Sequence, residues 1–361
     1  MTDALPETMT AVVTMGVGGP EQLQLREVPV PSVGPRDVLL RVLAAGINNT
    51  DINTRVGWYD SPGAVSAGQG APPPASAPGG YNGATTFPLI QGADCCGIVV
   101  AAGGDVVDAP IGRRALIRSC MTGVDQQQPR WLGTDCDGAF AEYVVVPATE
   151  VFPLLSDWSD AEVATIPCAY GTAENMVQRS GLGPGDRVLV TGASGGVGSA
   201  VLQLARRRGA EVIAVASARK HDAMRSLGAS HVVDRNADLQ GALGGDRVDI
   251  VFDNVAGPGF GGALGSLRQR GTYVTSGAIA GPTVELDLRT LYLNDLRLVG
   301  TTTWNDTVFA DVVSYVERDE IRPLLAATFP LADIAAAQER FRGADRVGNV
   351  VVVPSSAPDA D

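Results

Sequence analysis

The sequence lacks the features that mark several large classes of protein. A membrane-spanning helix requires about 18 consecutive apolar residues, and every apolar run in this sequence is shorter. The N-terminus has neither the charged nor the apolar region of a signal peptide. Basic residues are scarce: 27 lysines and arginines stand against 40 acidic residues, a net charge of −13, whereas nucleic-acid binding calls for a basic face. We therefore expect a cytoplasmic protein that binds neither a membrane nor nucleic acid.

Potential metal ligands are also few. The chain has five cysteines, none of them spaced as C-x-x-C, and two histidines, His221 and His231. In a reducing cytosol these cysteines are expected to be free thiols. The spacing predicts no structural zinc site built from closely spaced cysteines. The cysteines are Cys95, Cys96, Cys120, Cys136 and Cys168.

What is present indicates two domains of different class. A chain of 361 residues, 45% of them hydrophobic, is long enough for two cores. Residues 10–155 contain short valine-rich runs broken by glycine and proline, which predict a mostly β domain. From residue 156 strand and helix patterns alternate, which predicts a parallel sheet. Its strands are expected at 187–191, 211–216, 231–233, 248–252, 272–276 and 296–301.

The expected division assigns residues 1–155 and 310–361 to the β domain and residues 156–309 to the parallel-sheet domain, with a last strand at 348–353 returning to the first. Within the β domain, residues 61–86 consist almost wholly of glycine, alanine, proline and serine. Such a composition cannot bury enough apolar surface to fold alone, so we expect a mobile loop or lid there.

A glycine cluster at residues 192–198 carries the strongest functional signal. A valine-rich strand runs directly into it, and an amphipathic helix follows. A strand that turns into a helix N-terminus directs backbone N–H groups and the positive end of the helix dipole at one spot, where a pyrophosphate fits. Glycines permit the close approach that this requires. The pattern A-x-G-x-x-G predicts dinucleotide contacts at Ala193, Ser194, Gly195, Gly196, Val197 and Gly198.

Several further motifs, by their order and spacing, match one family. They are residues 46–51 (GINNTD), 91–94 (QGAD), 138–143 (GAFAEY) and 348–351 (GNVV). With the glycine cluster, they make the chain resemble the medium-chain dehydrogenases/reductases, and among them the zinc-free quinone oxidoreductases. The resemblance implies an α/β fold class: a mostly β GroES-like catalytic domain followed by a Rossmann domain with a doubly wound parallel sheet.

The resemblance also bears on the catalytic zinc of related enzymes. Zinc-dependent relatives place Cys, His-Glu and Cys in the cleft, where this chain has Asn48, Ala93-Asp94 and Cys168. Of these only Cys168 is a good ligand, and a catalytic zinc needs three protein ligands. We expect a metal-free enzyme, with Cys168 as a buried thiol.

The resemblance points to NADPH as the cofactor. NAD-specific relatives carry an acidic residue at the end of the second strand, and this chain has Ser217 there. NADPH-using relatives hold the 2′-phosphate with Ser/Thr-x-x-Lys, which Ser217 and Lys220 match, with Arg219 and Arg235 beside them. The alternative is that Arg219, Lys220 and Arg235 are solvated charges on the protein surface. Further cofactor contacts are expected by resemblance at Thr172 (otherwise a helix cap), Asn254, Ser276, Gly277, Ala278 and Asn349.

A nicotinamide cofactor implies hydride transfer. Reduction of an ordinary ketone leaves a hard alkoxide, whereas an enone or quinone spreads the charge into an enolate or phenolate that hydrogen-bond donors can stabilise without zinc. By resemblance, Asn48 orients the substrate or nicotinamide, Asp51 orders water or backbone, and Tyr59 donates a hydrogen bond or proton. The alternatives are turn chemistry for Asn48 and Asp51 and aromatic packing for Tyr59.

Three functions stay open on the sequence alone. The first is NADPH-dependent, zinc-independent reduction of a quinone, enone or enal. The second is an alcohol/carbonyl dehydrogenase with an atypical metal site at Asp94 and Cys168, and the third is a non-catalytic NADPH-binding protein. A small-molecule substrate is expected, and a homodimer that pairs, as relatives do, through the strand at 296–301.

Overall fold

The structure, a computed structural model, describes residues 5–59, 85–122 and 128–355. The expected loop at 61–86 lies outside these residues except for Thr85 and Thr86. Across the described ranges no helix has the length and apolarity needed to cross a membrane. All five cysteines are free.

The N-terminal part is built mainly from antiparallel strands. β3 is its centre: it pairs with β5 and β9 along its length, and its Val38, Leu39 and Leu40 are fully buried. β1 pairs with β2 and β4 in a smaller sheet. The strands are β1 Thr8–Thr14, β2 Leu23–Pro29, β3 Asp37–Gly46, β4 Leu89–Ile90, β5 Cys96–Ala102, β6 Arg114–Ile117, β7 Cys120–Met121, β8 Arg130–Trp131, β9 Tyr143–Pro147 and β10 Val151–Pro153.

A six-stranded parallel sheet follows. Its strands are β11 Arg187–Val190, β12 Glu211–Ala216, β13 His231–Asp234, β14 Val248–Phe252, β15 Leu267–Thr275 and β16 Arg297–Gly300. Their order is β13-β12-β11-β14-β15-β16, so the sheet grows outward in both directions from β11. This is the dinucleotide-binding order 3-2-1-4-5-6, and the predicted α/β fold class is confirmed.

The chain then returns to the N-terminal sheet. β17 (Leu325–Pro330) runs parallel to β18 (Asn349–Val353), and β18 pairs antiparallel with β3. This return carries the C-terminal residues past the glycine cluster, since the Gly348 N–H donates to the Ser194 carbonyl oxygen at 3.2 Å.

The described residues also contain five short 3-10 helices and ten α-helices. The α-helices are α1 Asn49–Arg55, α2 Asp160–Val163, α3 Pro167–Ser180, α4 Gly196–Arg207, α5 His221–Ser226, α6 Leu239–Ala242, α7 Phe260–Gly265, α8 Leu288–Leu293, α9 Val308–Glu317 and α10 Ile334–Arg342. The expected domain boundary at 309/310 falls inside α9, which packs against α3. We therefore propose a boundary after Glu317 in place of 309/310, and we keep 155/156 as the other.

One strand differs clearly from its prediction. β15 begins at Leu267, five residues before the expected start at 272. This extension exposes Arg268, Gln269 and Arg270. Because these side chains are polar, the sequence shows no apolar pattern that would predict a strand there. The register of β15 on β14 also shifts near Val248, which separates the extension from the regular pairing.

Candidate active site

A cleft of about 380 Å³ is lined by residues from both parts of the chain. Among the described residues that line it there is no aspartate, glutamate, lysine, arginine or histidine. Its wall is therefore polar but uncharged. Ten of the predicted site residues line it: Asn48, Tyr59, Thr172, Gly196, Val197, Asn254, Ser276, Gly277, Ala278 and Asn349.

The glycine cluster forms a turn with room for a phosphate. β11 leads into the turn, and α4 begins at Gly196 with Gly195 as its N-cap. The first N–H groups of a helix have no partner within the helix, so those of α4 are available to an anion. A Cβ on Gly198 would lie 2.4 Å from the Gly192 oxygen and 2.8 Å from the Ala193 Cα. Only glycine allows this turn to close, so the residues fit a dinucleotide.

Cations gather beside this turn. The Lys220 Nζ donates a hydrogen bond to the Ser194 Oγ at 2.9 Å, which brings the end of β12 to the glycine turn. Burial lowers the pKa of Lys220, and the charges of Arg346, Arg235 and Arg219 act in the same direction. Lys220, Arg219, Arg235 and Arg346, which we call the cation group, therefore form a site with unbalanced positive charge.

Arg346 is the member that the sequence analysis missed. It precedes β18, and its guanidinium lies 4.0 Å from the centre of the Phe341 ring, which lines the cleft. Burial lowers the pKa of Arg346 to about 10. One acid acts on Lys220: the charge of Asp345 raises its pKa, and the same carboxylate pairs with Arg340 at 2.8 Å. The site thus keeps an excess of cations over anions.

Asn254 and Ser276 define the part of the cleft at the carboxyl ends of β14 and β15. The Asn254 Oδ1 accepts hydrogen bonds from the Ser276 N–H at 2.8 Å and from its Oγ at 3.0 Å. Asp253 fixes the loop that carries Asn254, because its carboxylate accepts from Thr191 Oγ1, the Tyr273 hydroxyl and two backbone N–H groups. In proteins with an open parallel sheet, ligands bind at the carboxyl ends of the strands.

Two more predicted residues, Thr172 and Asn349, line the cleft. Thr172 lies inside α3 rather than at its start, so it does not cap the helix. Asn349 is 2% exposed, and its Nδ2 has no hydrogen-bond partner among the described residues. A buried donor left without a partner is costly, and a bound ligand would satisfy it.

Asn48 is the N-cap of α1 and connects two buried carboxyl groups. Its side-chain Nδ2 donates to the Asp94 Oδ2 at 2.7 Å, and its backbone N–H donates to the Asp51 Oδ2 at 2.7 Å. Asn48 and Asp51 form a capping box, so the turn-chemistry alternative describes part of what they do. The second Asp94 oxygen accepts from the Cys168 N–H at 2.6 Å.

Asp51 lies behind the cleft. It is fully buried, does not line the cavity, and accepts a second bond from the Ala93 N–H at 3.1 Å. It therefore orders backbone, one of the two roles expected for it, and does not reach a substrate in the cleft. Asp51 is a positioning residue.

Burial changes the proton affinity of this network. It raises the pKa of Asp51 to about 7 and that of Asp94 to about 8, against the backbone and Asn48 hydrogen bonds that lower both. Burial also raises the pKa of the Cys168 thiol well above its usual range, and the Asp94 charge adds to this. Cys168 is therefore a thiol, not a thiolate, at neutral pH.

The remaining wall of the cleft comes from α1, the turn that follows it, and β8. The Tyr59 hydroxyl lies 3.5 Å from Thr50 Oγ1, and both side chains line the cavity. Trp131 closes another side and packs edge-on against Trp304, with 5.7 Å between the ring centroids. Within residues 5–59, 85–122 and 128–355 no group of three His, Cys, Asp or Glu side chains is placed to hold a metal ion.

The two parts of the chain each match a known family model. Residues 34–156 match the alcohol dehydrogenase GroES-like domain, and residues 196–318 match a model described as zinc-binding dehydrogenase. A solved structure of a "putative alcohol dehydrogenase" from Sinorhizobium meliloti 1021 shares 42% identity over 98% of each chain, with a TM-score of 0.89. The chain belongs to the medium-chain dehydrogenase/reductase superfamily.

Members of this superfamily that resemble the chain differ in reaction and cofactor. An NAD-dependent alcohol dehydrogenase of Sulfurisphaera tokodaii is 25% identical over 96% of this chain and all of its own. A 2-octenoyl-CoA carboxylase reductase from a Streptomyces species, solved with NADP and 2-octenoyl-CoA, is 26% identical with a TM-score of 0.81, covering 99% of this chain and 90% of its own. The chain is thus an oxidoreductase of this superfamily that binds a nicotinamide dinucleotide.

Proposed function

We propose that the protein is an NADPH-dependent, zinc-independent oxidoreductase that transfers hydride to an activated C=C bond of an enone or enal, or to a quinone. The observation that carries this proposal is the hydrogen bonding of Asp94. Both of its oxygens are occupied, one by the Asn48 amide and the other by the Cys168 N–H, at 2.7 and 2.6 Å. At the positions that bind zinc in relatives, the Asn48 and Asp94 side chains thus hydrogen-bond to each other, and Cys168 joins them through its backbone N–H.

The proposed cofactor is NADPH because of the cation group. A 2′-phosphate is a dianion that charge-assisted hydrogen bonds from Lys220 and the arginines would hold, and Ser217 offers a hydroxyl instead of a repelling carboxylate. The glycine turn would hold the pyrophosphate, and Thr172, Asn254, Ser276 and Asn349 would contact the nicotinamide half. When bound, the nicotinamide supplies the hydride.

The residues of the cleft would bind and orient the acceptor. Its uncharged wall admits a neutral acceptor, and Trp131 with Tyr59 provides flat surfaces for a conjugated system. We assign to Tyr59 a hydrogen bond to the carbonyl oxygen on which negative charge develops. Asn48, held by Asp94 and Asp51, shapes the floor between acceptor and cofactor.

The direct test is a scan of NADPH oxidation against matched acceptors in the presence of a chelator. A cyclic enone, a 2-alkenal and a 1,4-quinone should be reduced, while the saturated ketone of the same skeleton should not. NADH should be a poorer donor. Turnover of saturated carbonyls that disappears on chelation would instead support the alcohol dehydrogenase, which the names of several relatives favour. Failure of every acceptor would support a binding protein.

We also propose a homodimer in the cytosol, where the five free cysteines would stay reduced. β16 is an edge strand, and large apolar side chains are exposed beside it. They are Leu288, Tyr292, Leu293 and Leu298, exposed by 63%, 62%, 65% and 42%. A second copy pairing along this edge would cover them. Sedimentation should show a dimer, and Leu298→Glu should give monomers with the cofactor site intact.

A further inference from the structure

Lys220 is the only lysine in the 361-residue sequence. The remaining 26 of the 27 basic residues are arginines, so an amine-directed reaction has one side-chain target in this protein. The structure places this one amine in the cation group, with its Nζ 2.9 Å from the Ser194 Oγ at the glycine turn. The target therefore lies where the dinucleotide phosphates are proposed to bind.

We propose that Lys220 is a modification site for acyl phosphates, and that its acylation blocks dinucleotide binding. The proposal rests on the proposed function only for the identity of the dinucleotide. An acyl phosphate joins a carbonyl carbon to a phosphate through one oxygen. Held by its phosphate near Arg219 and Arg235, it would place that carbon beside the Lys220 amine.

The reaction balances without a redox step. The Lys220 nitrogen attacks the carbonyl carbon, a C–N bond forms, and the C–O bond to phosphate breaks. The phosphate leaves with the electron pair, and the amine proton passes to water. The product is a neutral amide, which has lost the charge and the ion-pairing capacity of the ammonium group.

The surroundings of the amine favour this reaction. An amine must be unprotonated to attack, and the pKa of Lys220 is lowered first by burial and then by Arg346 and Arg235. Arg219 acts in the same direction, whereas Asp345 opposes it. Arg219 and Arg235 would stabilise the departing phosphate, which carries more negative charge than it does in the acyl phosphate.

The test uses the purified full chain and acetyl phosphate, followed by intact mass and peptide mapping. Lys220 should be acetylated before the N-terminal amine, and inorganic phosphate should slow this in proportion to the sites it occupies. A neutral acylating ester should show no such preference or protection. Lys220→Arg should remove the internal acetyl group, and Arg235→Gln should keep the lysine but slow its reaction. Acetylated protein should bind NADPH about tenfold or more weakly than untreated protein.

Three outcomes would overturn the proposal: Lys220 reacting no faster than the N-terminal amine, no protection by inorganic phosphate, or unchanged dinucleotide binding after acetylation. Failure of the proposed function is a separate result. If no acceptor is turned over with NADPH but phosphate still protects Lys220 and acetylation still weakens dinucleotide binding, the modification site stands and the reductase assignment fails.

Discussion

The glycine turn and the cleft beside it are built on opposite principles. At the turn, which we call the charged end, Ser194 and the cation group form a charged site that only glycine allows to close. In the cleft, which we call the neutral end, Asn48, Thr50, Tyr59 and Trp131 form a wall without a charged residue among those described. The charged end would select a ligand by electrostatics, and the neutral end by shape and by hydrogen bonds.

The difference shows how the two ligands would be recognised. Phosphate is small, symmetric and strongly charged, so a short contiguous segment can bind it. A neutral acceptor offers little charge, so its site must be assembled from several segments that pack to fixed positions. Substitutions at the charged end should therefore change cofactor binding, and substitutions at the neutral end should change turnover of the acceptor.

The largest expected effect comes from Gly198→Ala at the charged end. The new Cβ would meet backbone atoms at 2.4 and 2.8 Å, so the turn must shift. Binding of NADPH and NADH should both fall below detection by calorimetry, with a loss of about 1–3 kcal/mol in the free energy of unfolding. Gly262→Ala, with open space around its Cβ, is the control and should bind normally. Normal binding by the Gly198 variant would contradict our description of the turn.

Lys220→Met should separate the two cofactors. It keeps the aliphatic stem but removes a charged hydrogen bond, so the Kd for NADPH should rise about tenfold to a hundredfold while that for NADH stays unchanged. Arg225→Met, an exposed cation in the neighbouring helix, is the matched control. Equal weakening of both cofactors would show that Lys220 holds a shared phosphate instead of the 2′-phosphate.

Tyr59→Phe should act on the neutral end alone. Loss of one hydrogen bond to the developing oxyanion should lower kcat about tenfold and leave the Kd for NADPH unchanged. Tyr143→Phe, in β9 and outside the cleft, should leave both values as they are. An unchanged kcat in the Tyr59 variant would assign that ring to packing.

Asp94→Asn should have the smallest effect, on the pH dependence of stability. Burial raises the pKa of Asp94 from its ordinary 3.8 to about 8, so the folded state binds a proton that the unfolded chain has released. The free energy of unfolding should therefore fall as the pH rises from about 4 to about 8. Denaturant titrations at pH 6 and pH 8.5 should show a smaller fall in the variant. An equal fall would mean that Asp94 is already ionised in the folded state.

Much of this molecule could be predicted from its sequence because the signals are local. The glycine turn, Ser217 and Lys220 lie within about 30 residues, and the strands around them alternate clearly with helices. Arg346 gave no such signal. It approaches Lys220 only because β18 returns to β3 and carries the preceding loop past the glycine turn.

The neutral end was harder to predict for the same reason. The motif allowed Asp51 to order either water or backbone, and only the structure shows that the capping box turns its carboxylate toward the backbone and away from the cavity. Trp131 joins the wall through a two-residue strand that no periodicity could reveal. Contacts between distant segments depend on packing, which a linear pattern does not contain.

The most direct test of the central claim is to find where the hydride goes. The enzyme would be supplied with NADPH deuterated at the transferable position, an enone and a chelator, and the product analysed by NMR. We predict deuterium at the β-carbon and a saturated ketone as product. Deuterium at the carbonyl carbon, with an allylic alcohol as product, would contradict the account and identify a carbonyl reductase.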